Sequence, residues 1–214
     1  HQLARENFDI FEWDSMELAR QITLIDAQYF MQIKHTELIA KKKTFDAPDL
    51  SVRMATAPNL TKMSLQFDAL SSWVQTCILR ETSVDERVKY ITKLFEICEK
   101  LYEIGNFHSC FAIRSGFRQS GVIRLAKTWQ KIPHIEDTIT KKYGELYKHP
   151  YTNLLAEYDM RPPPMIPLAA QLQAEVYFAS LNSKYVLDKV SATGEKLVNY
   201  DRMRLLSRVI RRLK

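Results

Sequence analysis

Pro162-Pro163-Pro164-Met165-Ile166-Pro167-Leu168 opens the segment, residues 161–213, around which the chain is organised. Each proline ring fixes φ and removes an N–H donor, so this lead-in is predicted to be stiff and largely extended. Pro167 is expected in the first turn of the helix that follows, because a missing donor costs nothing at that position.

The rest of the segment predicts two amphipathic helices. The first carries a stripe of apolar residues at helical spacing: Leu168, Leu172, Val176 and Ala179. A polar turn at Asn182–Ser183 and a break at Gly194 separate it from a second helix, for which Asn199 is the expected N-cap. The second helix has apolar residues on one side and arginines on the other: Met203, Leu206, Val209, Ile210 and Leu213 against Arg202, Arg204, Arg208, Arg211 and Arg212. The segment therefore reads as a projecting helical hairpin, about residues 168–213, that acts as a wedge on a partner.

Composition favours an all-α fold. The chain has 214 residues, of which 46% are hydrophobic and 5 are glycine. Helical periodicity recurs throughout, whereas alternation typical of strands is hard to find. We expect a single multi-helix domain over residues 1–214, with a protruding C-terminal hairpin.

Helix boundaries follow from caps and periodicity. Gly105 is expected in a left-handed conformation that ends one helix, and Asn106 is expected to cap the next. The predicted helices are Met16 to about Lys34 with Ser15 as N-cap, a short one at Thr36–Glu37, one from Asn59, Asp85 to about Ile104, Asn106 to Gly116, Gly121–Trp129, Ile135–Tyr147 and Tyr151–Tyr158.

The charge and cysteine content bound the function classes. The formal charge of +6 is spread along the helices, so it permits nucleic-acid binding without requiring it, and equally suits a solvated surface or an acidic partner. Cys77, Cys98 and Cys110 lie in apolar surroundings and are expected to be buried free thiols in a reducing compartment. With no signal-peptide pattern and no spanning apolar run, we expect a piece of a longer cytoplasmic protein.

A search for catalytic and metal motifs is negative. The two Ser-Gly pairs, at Ser115 and Ser120, lack the spacing of a nucleophile elbow, and the glycines lack the lysine of a phosphate loop. His108 has no second ligand at helical spacing, so it is expected to be a hydrogen-bonding core residue. Lys41–Lys43 read as a solvated loop. The residues predict no cofactor and no metal site.

Several segments together resemble the catalytic domain of Ras-type guanine-nucleotide exchange factors, the Son-of-sevenless-like family. The opening segment Glu17–Asp26 is similar to the family's first motif, and later segments follow in the family's order. These are Ala57–Leu60, Leu70–Val74, Asn106–Ser109, Ala112–Gly116, Ile123–Trp129, Pro163–Pro167 and Leu197–Tyr200.

The resemblance implies regulation without covalent chemistry. A Ras-like GTPase holds its nucleotide with two switch segments, a phosphate loop and Mg²⁺. Family members bind one switch on the core and displace the other with the hairpin, so that GDP leaves. The implied partner is a Ras-family small GTPase, Ras-like or Rap-like. A membrane would be reached only indirectly, through the GTPase or through regions outside this sequence, and no nucleic acid is implied.

The resemblance also implies roles for particular residues. Tyr151, Leu168, Leu172 and Glu175 correspond to the pocket that receives a switch side chain. Tyr177 and Leu181 correspond to positions facing the magnesium and phosphate sites. Asn106 and His108 correspond to the brace at the hairpin base. Packing within the domain is an equal alternative for each of these residues except Tyr151.

Three departures from the family pattern leave an alternative open. Leu181 replaces an acidic residue, His108 replaces an asparagine, and Ala169-Ala170 replaces an aromatic-glycine pair. An exchange-inactive domain of the same fold, serving as a protein-interaction scaffold, fits these departures. A weaker alternative is a nucleic-acid binder that uses the arginine face of the last helix.

Overall fold

The computed structural model describes residues 9–39, 47–190 and 193–211, with the side chains of residues 187–190 left out. A short 3-10 turn at Ile10–Glu12 precedes the helices. The helices are α1 (Ser15–Phe30), α2 (His35–Leu38), α3 (Leu50–Thr56), α4 (Pro58–Leu79), α5 (Val84–Glu103), α6 (Phe107–Phe117), α7 (Ser120–Ile123), α8 (Ala126–Trp129), α9 (Pro133–Asp137), α10 (Tyr143–Leu146), α11 (Thr152–Met160), α12 (Ala169–Leu181) and α13 (Tyr200–Arg211). The strands are β1 (Tyr185–Val190) and β2 (Lys196–Val198), and a π-helical turn covers Thr138–Lys142. The predicted all-α class is confirmed.

Residue contacts divide the chain into two compact units. The core unit contains Leu65–Pro167 and the chain up to Ala27, and the hairpin unit contains Gln28–Ser64 and the chain from Leu168. Within the described ranges, no helix is long and apolar enough to cross a membrane.

The core unit is built around α5 and α6, which pack against each other. One face of α5 is fully buried, as its helical periodicity requires: Ile91, Leu94, Ile97, Cys98 and Leu101. The predicted caps of the two helices are confirmed. Gly105 has φ +80°, and the Asn106 side chain accepts a hydrogen bond from the Ser109 amide at 3.0 Å. All three cysteines are free and buried, as expected.

The proline lead-in is bound to the start of α6. The Ile166 amide donates to the Gly105 carbonyl at 2.9 Å, and the Phe107 amide donates to the Ile166 carbonyl at 3.0 Å. This parallel bridge keeps the chain extended through residue 166. The expectation that Pro167 lies in the first helical turn is therefore wrong, because the helix begins two residues later with Leu168 as an extended N-cap.

The hairpin unit contains α12 and α13, which pack against each other, and α2, which packs against α12. Asn199 caps α13 as predicted, accepting from the Arg202 amide at 3.2 Å. The connection between the two helices was not predicted. An antiparallel ribbon of β1 and β2 pairs Tyr185 with Val198, and Gly194 turns the chain with φ +81°.

Three predicted helices are shorter or more broken than expected. Helix α1 ends at Phe30, and the next amides, of Gln32 and Ile33, donate to carbonyls three residues back, as in a turn. The Asn59 side chain donates to the Gln32 carbonyl just beyond the helix. Asp14, not Ser15, caps this helix by accepting from the Met16 amide.

The other two breaks lie beside side-chain hydrogen bonds. The predicted helix 121–129 is divided at residues 124–125. There the Trp129 indole N–H donates a hydrogen bond to the Val122 carbonyl at 2.9 Å. The predicted helix 135–147 contains the π-helical turn, in which the Ile139 carbonyl accepts from Arg114. The prediction for Lys41–Lys43 and the positions of Arg212 and Leu213 lie outside the described residues.

Candidate functional site

Helix α12 has one buried face and one exposed apolar face. Leu172, Val176 and Ala179 form the buried face. On the other side, the exposed fractions are 36% for Tyr177, 48% for Phe178 and 64% for Leu181. Leu181 follows Tyr177 by four residues and Phe178 by three, so it neighbours both on the helix surface, and the two ring centroids lie 5.7 Å apart. We call Tyr177, Phe178 and Leu181 the apolar tip of α12.

More exposed apolar side chains lie on β2 and on α13 in the same unit. They are Leu197, Val198, Tyr200 and Met203. Exposed apolar residues that recur along one supersecondary element are typical of a surface that another protein covers. The predicted residues Tyr177 and Leu181 are both among the exposed apolar residues of the hairpin unit.

The structure places the residues of the predicted pocket in different settings. Leu168 and Leu172 are buried, and Glu175 is half-buried one helical turn before the apolar tip. These three belong to the hairpin unit, whereas Tyr151 belongs to the core unit. Their assembly into one pocket stays a prediction.

Tyr151 has a left-handed backbone with φ +67° at the start of α11. A non-glycine residue in this region costs on the order of 1 kcal/mol, and such strain is concentrated at functional sites. The Tyr151 ring is half-buried and makes an edge contact with His149, with ring centroids 5.7 Å apart. The conformation favours the functional interpretation of this residue over simple packing.

Asn106 and His108 are both buried in the core unit. The Asn106 side-chain amide donates to Asp26 Oδ2 at 2.7 Å and to Thr23 Oγ1 at 3.0 Å. Ser109 Oγ also donates to Asp26 Oδ2, at 2.5 Å. Asn106 thus joins α1 to the start of α6. The backbone bridge described above connects the same start to the proline lead-in.

Asp26 was missed as a partner of this cluster. Its side chain is fully buried, and this burial raises the pKa of the carboxyl above its ordinary value, opposed by the nearby His108 and by the hydrogen bonds from Ser109 and Asn106. The sequence signal that could have indicated this role was the single acidic residue near the end of the apolar opening helix. Two segments that the sequence singled out separately, Glu17–Asp26 and Asn106–Ser109, meet at this carboxylate.

Glu37 and Asn59 form a second polar cluster that sequence reasoning missed, inside the hairpin unit. Glu37 Oε2 accepts from the Asn59 backbone amide at 2.8 Å, and Oε1 accepts from the Asn59 side chain at 2.9 Å. Both residues are buried. Asn59 belongs to the segment Ala57–Leu60, which resembles a family motif. No local pattern predicts that it bonds to Glu37, which lies 22 residues away.

The buried polar clusters are distinct from the exposed apolar residues, which offer a binding surface. Within residues 9–39, 47–190 and 193–211, no group of three or more His, Cys, Asp or Glu side chains could hold a metal ion. The buried polar side chains of the two clusters bond to one another and to backbone groups, as structural networks do.

Comparison with protein families identifies the fold. The RasGEF domain model matches residues 17–204. The chain belongs to the RasGEF domain family. The match begins at Glu17 in α1 and ends at Arg204 in α13, so both clusters, the ribbon and the apolar tip lie inside the RasGEF domain.

Curated relatives of this RasGEF domain carry matching names. Ras guanine nucleotide exchange factor A of Dictyostelium discoideum is 28% identical over 212 residues, which cover 95% of this chain and 33% of the relative. Ras guanine nucleotide exchange factors J and I of the same organism are each 31% identical and cover 90% of this chain. The RasGEF domain described here spans 24% and 23% of their lengths, respectively.

Proposed function

We propose that this RasGEF domain promotes GDP release from a Ras-family small GTPase, Ras-like or Rap-like, by inserting its hairpin between the two switch segments. The apolar tip of α12 carries the proposal, because a soluble domain gains nothing from exposing two aromatic rings and a leucine on one helix face. The family match and the names of the relatives support a regulator of Ras-type proteins.

The proposed mechanism is mechanical. The apolar tip of the hairpin displaces the switch that contacts the nucleotide phosphates and Mg²⁺. Tyr177 presents a bulky ring towards the magnesium position, and Leu181 lies one turn further towards the phosphates. Neither residue forms a covalent bond, so the domain acts as a regulator and has no need of a cofactor.

Thermodynamic linkage gives the energy scale. A nucleotide held at picomolar affinity is bound by about 16 kcal/mol, so its spontaneous release is slow. A factor that weakens nucleotide binding by a given free energy must itself bind the nucleotide-free GTPase more tightly by the same amount. Rebinding of GTP, the more abundant nucleotide, then displaces the factor.

Further contacts with the GTPase are proposed for Tyr151 of the core unit and for Leu168, Leu172 and Glu175 of the hairpin unit. The strained backbone of Tyr151 supports its role in receiving a switch side chain. Leu168 and Leu172 are buried, so their proposed part is to support the contacting surface of the hairpin unit from beneath. Asn106 and His108 are proposed to brace the hairpin base, because the same segment bonds to the lead-in at Ile166.

Release of fluorescent GDP from purified Ras, Rap and Ral proteins tests the proposal. Acceleration of at least one GTPase is expected, and it should be lost when Leu181 is changed to serine. No acceleration across the panel, together with stable binding of some other protein, would instead support the second candidate function, an exchange-inactive scaffold.

Leu181 is the observation that favours this second candidate. The family carries an acid here, and a leucine cannot imitate a phosphate. The matched variant Leu181→Glu restores a carboxylate at an exposed position. If it converts an inactive domain into an active one, the scaffold interpretation holds for the natural sequence.

The proposed setting is the cytoplasm, with recruitment to membranes by regions outside this sequence. The three buried free thiols are consistent with a reducing compartment.

A further inference from the structure

Glu37 lies on the four-residue helix α2, and its carboxylate closes the start of the 22-residue helix α4. Oε2 accepts from the backbone amides of Asn59 and Leu60, at 2.8 and 3.2 Å. Oε1 accepts from the Asn59 side chain at 2.9 Å and from the Lys34 backbone amide at 3.2 Å. The exposed fraction of Glu37 is 2%; its three bonds to Asn59 and Leu60 are buried, and the bond from Lys34 is partly buried.

This arrangement is a helix cap supplied by a distant residue. Pro58 occupies the first position of α4 and has no N–H, so the next two amides are the free donors of the helix start. A carboxylate is the favoured acceptor there, because the helix dipole is positive at this end. An unbonded carboxylate would be very costly to bury, which makes the four bonds a condition for packing α2 against α4.

Helix α2 is also in contact with α12, the first helix of the hairpin. The two contacts place α2 between the start of α4 and the hairpin, inside one compact unit. Asn59 strengthens the attachment on the α4 side, because its side-chain amide also donates to the Gln32 carbonyl at 2.9 Å.

We propose that Glu37 is the positioning residue of the hairpin: its carboxylate fixes α2 on α4, and α2 supports α12 in the orientation that acts on the GTPase. The inference rests on the proposed exchange function for its activity readout. It assigns to Glu37 no contact with the GTPase, since the residue is buried.

The sharpest perturbation is Glu37→Gln. The new amide keeps the size of the carboxylate, but each of its two ends meets two N–H donors. Whichever way it is turned, its NH₂ group faces donors, and two of the four bonds are lost. Asn59→Ala is the second variant. It removes the two side-chain bonds of Asn59 and leaves both backbone amides on Glu37.

Hydrogen exchange measured by mass spectrometry tests the positioning without any GTPase. Amides of residues 169–181 are expected to exchange about tenfold faster in Glu37→Gln, because their support on α2 opens more often. Ser83→Ala is the matched control: it uncaps α5 in the core unit, where Ser83 Oγ accepts from the Asp85 amide at 3.2 Å. Its α12 amides should exchange at the wild-type rate.

The activity readout separates positioning from mere loss of fold. At a temperature where all variants are folded, Glu37→Gln is expected to lower kcat for GDP release about tenfold, since a helix displaced by a fraction of an ångström no longer fits the switch. KM should change by less than about twofold, because the core surface still binds the GTPase. Asn59→Ala should give an intermediate loss of kcat.

The outcomes are distinguishable. Unchanged α12 exchange in folded Glu37→Gln overturns the inference, and so does an equal loss of kcat in Ser83→Ala. If the wild-type chain accelerates no GTPase, the proposed function fails, and the hydrogen-exchange comparison still decides whether Glu37 positions α12.

Discussion

Replacing Gly116 by alanine should be strongly destabilising, although alanine is the better helix former. Gly116 lies near the end of α6, where this helix crosses α4. A Cβ atom there would lie 2.6 Å from Val74 Cβ, 2.7 Å from Val74 Cγ1 and 2.8 Å from the Ser71 carbonyl oxygen. Ordinary contact begins at 3.4 Å, so the closest pair falls short of it by about 0.8 Å.

The magnitude follows from two opposing effects. Alanine gains about 1 kcal/mol over glycine inside a helix. Overpacking a tight contact costs about 1–3 kcal/mol, and occasionally more. Since Val74 Cβ and the Ser71 carbonyl oxygen cannot move aside without their backbone, the cost belongs at the upper end. We expect the net free energy of unfolding to fall by about 2 kcal/mol, which lowers Tm by about 6 °C for a chain of this size.

Urea and thermal unfolding followed by circular dichroism measure the change. Gly144→Ala is the matched control, because the added Cβ meets only the Arg114 guanidinium, at 3.7 Å. It should leave the free energy of unfolding unchanged or raise it by up to about 1 kcal/mol. A Gly116→Ala protein as stable as Gly144→Ala would refute the reasoning from close helix packing.

Three further predictions concern polar and exposed residues. Gln171 is buried, and its side-chain amide makes no hydrogen bond within the described part of the chain; Gln171→Met should therefore raise the free energy of unfolding by about 1 kcal/mol, measured in urea. Burial raises the pKa of Asp26, so wild-type stability relative to Asp26→Asn should fall as pH rises from 3.8 through the raised pKa; urea titrations that give a pH-independent difference would contradict this. Leu181→Ser should cut GDP release at least tenfold while changing stability by less than about 0.5 kcal/mol, whereas the buried Leu168→Ala should cost about 2–4 kcal/mol; equal stability losses in the two variants would sink the distinction.

Local signals predicted the elements whose partners lie within a few residues. Asn199 caps its helix and Gly105 turns the chain with positive φ, because both roles depend on the residue and its next three neighbours. The buried face of α5 follows from periodicity alone. Two residues of the candidate surface, Tyr177 and Leu181, were named from the sequence only through the family resemblance.

Two features of the hairpin segment were predicted wrongly or not at all: the start of α12 and the ribbon. The sequence predicted that Pro167 lies in the first turn of a helix. In the structure the chain is still extended at Ile166, because the backbone amide and carbonyl of Ile166 bond to Gly105 and Phe107. The ribbon was missed because β1 and β2 are short, so neither strand is long enough to show a clear alternation of polar and apolar residues.

The amino-acid sequence by itself determined the all-α class, the helix faces and the family, because these are written in spacings of three to four residues and in the order of short motifs. Tertiary structure alone decided where the buried acids go. Asp26 meets Asn106 across 80 residues of chain, and Glu37 meets Asn59 across 22. A buried carboxylate needs hydrogen-bond donors, and these come from residues that only the fold brings close. No local sequence pattern predicts which residues they are.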